Sequence, residues 1–171
     1  HQPHYDGSGF PLRERNGQEP SGLIGNDIHI FARIICVADL FDRLSHNASS
    51  IGEDPGSGLG KPAVYTLKKM MGKPFGDWID PIVFKALLAV CTAYPPGTMV
   101  KLSNGVNGVV TDWDPADPCR PQVHEISHFE DEQFGSIYNL KEDRTVTITE
   151  CDGVDVRPYN FYPVTKGQFD L

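Results

Sequence analysis

No stretch of this sequence comes near the roughly 20 consecutive apolar residues that a membrane-spanning helix needs, so none of it reads as a transmembrane segment. Cysteine is scarce too. Cys36, Cys91, Cys119 and Cys151 form no C-x-x-C pair, which excludes the commonest zinc and dithiol patterns. Cys36 and Cys91 fall within apolar helical patterns and read as small core residues. Free thiols in a cytoplasmic protein are the expectation. Positive charge is also short: 15 Lys and Arg stand against 23 Asp and Glu, a net charge of −8. The deficit is uneven. Residues 1–95 hold 9 basic and 10 acidic side chains, and residues 96–171 hold 6 and 13. So acidic a C-terminal part repels phosphate backbones and argues against a nucleic-acid polymer as its partner. Hydrophobic residues reach only 39%, while 17 Gly and 14 Pro predict many turns and a modest core.

What is present is concentrated in the first 44 residues. His1 to Pro11 read HQPHYDGSGFP, and a polar loop over residues 12–26 follows. Asn26 or Asp27 can cap a helix running from about Asp27 to Ser45. In that helix Ile28, Phe31, Ile35, Ala38 and Phe41 share one register, and Ile30, Ile34, Val37 and Leu44 a second. Two stripes covering most of the circumference predict a buried helix. Asp39 lies between them, and a carboxylate there is costly unless paired, with Arg33 or Arg43, or bound to a metal. In the loop, Gly7 and Gly9 permit close backbone approach, Pro11 stiffens the exit, and Asp6 can orient the turn through backbone amides. His4 reads as a solvated side chain.

These two blocks, HxxxxDGxGFP and then ARIxxVADxFDRL, resemble the C-terminal half of the HD-GYP domain, a branch of the HD metal-dependent phosphohydrolases. The family form is HHExxDGxGYP followed by ARIxxVADxFDAL. Asp6-Gly7-Ser8-Gly9-Phe10-Pro11 stand for the DGxGYP core, with Phe10 in place of Tyr. The resemblance implies two or more divalent transition metal ions, iron or manganese, held by His and Asp on an all-α helical bundle. A metal-bound water would attack phosphorus while the metals neutralise the phosphate. It carries His1 and Asp39 over as metal ligands. Gln2 falls where a second His is usual, so only a neutral amide oxygen is offered there. Asp6, Gly7, Gly9, Phe10, Pro11 and Arg33 would line the substrate. The family hydrolyses cyclic di-GMP in the bacterial cytoplasm, and its glycine loop sometimes docks a diguanylate cyclase (GGDEF) domain.

Two departures accompany the match. The family's TSxRPYR run after FDAL is replaced by Ser45-His46-Asn47-Ala48-Ser49-Ser50-Ile51, with Ala48 and Ile51 at the basic positions. The HD dipeptide does not occur in the 171 residues, so a piece of a longer protein is expected, unable to catalyse alone. Three readings therefore stand: a phosphodiesterase, a degenerate module that binds nucleotide or docks a partner, or a scaffold whose β tail mediates assembly.

After the glycine-rich stretch 46–61, helices are expected at about Pro62 to Met71 and Asp80 to Thr92, with Gly72 and the Tyr94-Pro95-Pro96-Gly97 turn as stops. The period then changes to two. Met99 to Leu102, Val106 to Trp113, Gln122 to Phe129 and Thr145 to Cys151 read as strands, with a tight turn at Ser103-Asn104-Gly105. The expected architecture is α+β: residues 1–95 as the C-terminal part of an HD-type helical bundle, and residues 96–171 as a small antiparallel β-barrel of four to six strands. His124 and His128 with Glu125 and the Glu130-Asp131-Glu132 run form a weaker metal candidate. Residues four apart on a strand lie about 13 Å from each other, so the acidic run reads better as a solvated turn.

Overall fold

The computed structural model describes residues 3–15, 17–46, 61–126 and 135–162. In chain order the elements are strands β1 (Arg13–Arg15) and β2 (Gln18–Ser21), and helices α1 (Ile30–His46), α2 (Ala63–Met71), α3 (Phe75–Trp78) and α4 (Pro81–Val90). Strands β3 (Met99–Leu102), β4 (Asn107–Asp112), β5 (Gln122–Glu125), β6 (Ile137–Asn139), β7 (Ile148–Cys151) and β8 (Val154–Asp155) follow. The chain divides into two units: His1–Lys61 with Lys69–Leu87, and Pro62–Lys68 with Leu88–Leu171.

The second unit is built on a six-stranded antiparallel sheet ordered β6-β5-β4-β3-β7-β8. Its four longest strands are those the alternation predicts. In β3, Val100 and Leu102 are buried while Met99 is exposed, as a pleat with one covered face requires. Lys101 faces the other way and pairs across the ladder with Glu150 at 3.0 Å. Val110, Val123, Leu140, Ile148 and Cys151 complete the sheet's core. The β3–β4 turn closes on Gly105 at φ +88°, with Asn104 Oδ1 accepting from the Val106 amide, and that left-handed conformation favours glycine.

The expected barrel is not formed. Closing a sheet requires its first and last strands to pair, and here β6 and β8 are the two ends of the order. They span three and two residues, and such short edges offer little ladder for closure and little template for a foreign strand. The sheet is therefore open. Pro62–Lys68 adds Val64, Thr66 and Leu67, all fully buried, and Tyr65 meets Tyr159 edge to face. Tyr94, also buried, donates its hydroxyl proton to Asn160, whose amide donates to the Ile148 carbonyl.

The expected helical bundle is corrected as well. The polar stretch after Pro11 is not all loop: β1 and β2 pair antiparallel through Arg13↔Ser21 and Arg15↔Gln18. Helix α1 has 17 residues, but α3 has 4 and α4 has 10. Gly72, Pro74 and Pro81 interrupt the sequence after α1 and hold its successors short.

Helix α1 also departs from expectation in its burial. Cys36, Val37, Leu40 and Leu44 are buried, yet Ile30, Phe31, Ile34 and Ile35 are 41–67% exposed. The buried face keeps Val37 and Leu44 of the second register but not Ile30 and Ile34, because a helix apolar on most sides leaves undecided which side is covered. A short 3-10 turn at Gly25–Asp27 precedes α1, and His29 Nδ1 accepts from the Phe31 amide at its start.

Candidate functional site

The glycine loop is set by backbone contacts before any side chain enters. Tyr5 donates its amide to the Trp78 carbonyl at 2.8 Å, Gly25 donates to the Tyr5 carbonyl at 2.9 Å, and Gly22 donates to the Gly7 carbonyl at 3.1 Å. Gly7 sits at φ +84°, and a Cβ there would meet Ile24 Cγ1 at 2.5 Å. A Cβ on Gly22 would meet the Gly7 carbonyl oxygen at 2.5 Å. The crossing of these two strands of loop thus requires glycine on both sides. Gly9 is buried, while Phe10 and Pro11 are exposed and joined by a cis peptide bond.

Asp6 is engaged within the loop. Its Oδ1 accepts from the Ser8 amide at 2.9 Å and from the Ser8 hydroxyl at 2.7 Å. Ser8 Oγ in turn lies 3.0 Å from His4 Nδ1. With the hydroxyl proton given to Asp6, Ser8 receives the Nδ1 proton of His4. The His4 ring stacks on the Trp78 indole, centroids 4.4 Å apart and planes 13° from parallel. The expectation that His4 is merely solvated is thereby corrected: it is half-buried and held at two points.

One carbonyl receives both the loop and α1. Trp78 O accepts both the Tyr5 amide and, at 3.9 Å, the Cys36 thiol. Asp39 lies one turn beyond Cys36. Its side chain is 38% exposed and pairs at 2.5 Å with Arg43, four residues on, the more favourable order of charges along a helix. Burial pushes the Cys36 thiol pKa up; the Arg43 charge lowers it and the Asp39 charge raises it. Burial also lowers the His4 pKa; Asp6 opposes that shift and Arg43 adds to it. Arg43 is therefore the charge that both His4 and Asp39 feel.

Arg33 is occupied elsewhere. Its Nη1 donates to Asp80 Oδ2 at 2.5 Å and to Asn26 Oδ1 at 3.0 Å. The Asp80 side chain is fully buried, and its second oxygen accepts the Ile82 and Val83 amides at 2.7 and 3.3 Å. Asp80 is thus the N-cap of α4 and the counter-ion of Arg33 together. Sequence reasoning did not single it out, although an Asp directly before a helix-opening Pro is a capping signal.

His1 and Gln2 lie outside the described residues, as do Ala48, Ile51, His128 and the Glu130-Asp131-Glu132 run. His124 Nε2 is 3.0 Å from the Gly135 carbonyl oxygen. Among the described residues no three His, Cys, Asp or Glu side chains converge as a metal-ligating group, and no helix is long and apolar enough to cross a membrane. All four cysteines are free thiols. Compared with known proteins, the chain matches no family model, no curated protein and no solved structure.

Proposed function

We propose that this chain is part of a cytoplasmic, metal-dependent phosphodiesterase of the HD-GYP type whose substrate is a cyclic dinucleotide such as cyclic di-GMP. The observation that carries the reading is the Trp78 carbonyl, which ties the Asp6–Pro11 loop to α1 one turn before Asp39. The two motifs that define the resemblance are thereby neighbours. Asp39 offers a carboxylate that is partly exposed and compensated by one flexible cation, Arg43, which suits a hard or borderline divalent ion. His1 is the ligand carried by the resemblance, and it lies outside the described residues. A bound iron or manganese supplies an activated water and neutralises phosphate. The chain's own part is to hold Asp39 on a helix and to wall the substrate with the glycine loop, where exposed Phe10 offers a face for a base.

A second reading is favoured by the exposed apolar side of α1. Exposed Phe31, Ile34 and Ile35 suit a degenerate module that docks a partner such as a diguanylate cyclase domain. The test is the metal content of the full-length protein, purified without added metal, alongside Asp39→Ala and followed by a cyclic di-GMP hydrolysis assay. Two or more equivalents of iron or manganese, lost in the variant together with hydrolysis, would support the enzyme. Absence of metal from both proteins would leave the docking reading.

A further inference from the structure

We propose that the second unit carries a binding site for a small zwitterion, an α-amino acid, in a cavity of about 160 Å3 beside strands β4, β5 and β6. The site stands apart from the phosphodiesterase reading, which concerns the other unit. Strand register lines up three polar side chains at this cavity. Asp112 is opposite Gln122 across β4 and β5, and Gln122 is opposite Asn139 across β5 and β6. Opposed residues share a face of the sheet, and neighbouring strands are about 5 Å apart. Thr111 Oγ1 donates to Gln122 Oε1 at 3.4 Å, and the Lys141 amide donates to Asn139 Oδ1 at 3.3 Å. The two side-chain amide nitrogens remain as donors.

The charges at the cavity decide what it takes. Lys141 and Asp114 pair with each other. Arg120 and Asp112 also line the cavity, yet neither is in an ion pair with any described residue. Arg120 is 7% exposed. Its Nη1 donates to the carbonyls of Leu140 and Val146 at 2.9 and 3.4 Å, and its Nη2 to that of Arg144 at 3.5 Å. Its Nε has no partner. Carbonyls accept protons but carry no net charge, so the guanidinium charge stays buried and uncompensated, a costly state that a carboxylate relieves. Asp112 is exposed, and its Oδ1 accepts the Trp113 amide, which leaves a carboxylate oxygen for an ammonium. A simple anion in this cavity meets Asp112, and a simple cation meets Arg120. A molecule bearing both charges finds a partner for each. Trp113 adds an aromatic wall for a short side chain. A cavity of about 150 Å3 holds one benzene, so this one suits a molecule the size of alanine, serine or threonine.

The experiment is titration of the full-length protein with L-alanine, L-serine and L-threonine, read by indole fluorescence and calorimetry. Acetate and ethylamine serve as the separate halves of the ligand. The variants are Asp112→Asn, at an exposed position, and Arg120→Met, with circular dichroism checking that each folds. Expected are saturable binding of at least one amino acid, weaker binding of either half, and a loss of about 10-fold or more in Asp112→Asn, as removal of a charged hydrogen-bond partner entails. Folded Arg120→Met should lose binding altogether; if it does not fold, Asp112→Asn decides. Absence of saturable binding by all three amino acids overturns the inference. So does wild-type affinity in Asp112→Asn, or acetate bound as tightly as the amino acids, since either makes the cavity a carboxylate site alone.

Discussion

The sheet of the second unit and the helix-and-loop unit before it differ in what holds them. In β3 and β4 burial alternates along the strand, and the large covered side chains of the sheet are Val, Leu, Ile and Cys. In the other unit a helix of comparable apolar content leaves Phe31 and Ile35 largely exposed. Its loop is fixed by glycine crossings, and its buried interior includes the charge pair Arg33–Asp80. Apolar burial is non-directional and tolerates small changes of shape. A buried ion pair is strongly directional and does not tolerate loss of one member. The first unit thus adds a buried ion pair to its apolar core, whereas the second covers an apolar sheet face and engages its buried Arg120 with backbone carbonyls, that of Leu140 at 2.9 Å.

Substitutions can break or sharpen that contrast. The largest effect is expected at Arg33→Ala, which removes the cation paired with the buried Asp80 side chain and should cost about 3–5 kcal/mol. Hydrogen exchange resolved to the first unit would measure it, and a cost under about 1 kcal/mol would mean that the pair does not organise that unit. Leu140→Ala, at the fully buried position just after β6, should cost about 2–5 kcal/mol through lost transfer and an unfilled cavity, read by denaturant unfolding. Within α1 the contrast becomes internal. Leu40→Ala, at a position only 6% exposed, should cost about 2–4 kcal/mol, whereas Ile35→Ser should stay within about 0.5 kcal/mol. Equal costs at the two positions would show that the Ile35 side of the helix is covered in solution. The smallest effect concerns pH. Arg157 hydrogen-bonds Asp155 and holds its carboxyl pKa down at about 2. A depressed carboxylate pKa contributes stability that is present above the ordinary value near 3.8 and is lost as pH falls towards 2. An NMR titration of Asp155 should find the low midpoint, and Arg157→Ala should move it back up.

Much of the sheet is legible in the sequence because strand alternation is local. β3, β4, β5 and β7 all lie within predicted strands. β6 and β8 are too short for alternation to register, and their failure to pair, which decides between an open sheet and a barrel, is a long-range fact without a local signal. The helix α1 is legible as a helix but not in its burial, since Ile, Phe and Val on most sides give no vote on the covered side. Hairpin β1–β2 is hidden by its polar residues. At the candidate site, the Asp39–Arg43 pair follows from i, i+4 spacing. The neighbourhood of His4 could not be foreseen, because its partner Trp78 comes from a distant part of the chain.

The crossing of Gly7 and Gly22 has a consequence for how this chain can vary. Both ends of the intervening segment are pinned at a single point by the Gly22 amide and the Gly7 carbonyl, so its interior is free to change in length without redirecting what lies on either side. Doubling such a loop adds only about 0.6 kcal/mol of closure entropy, whereas any side chain at Gly22 would strike the backbone it crosses. Random insertion and substitution through this region should therefore return a sharply two-valued map: wide acceptance across the hairpin and none at the two glycines that bound it.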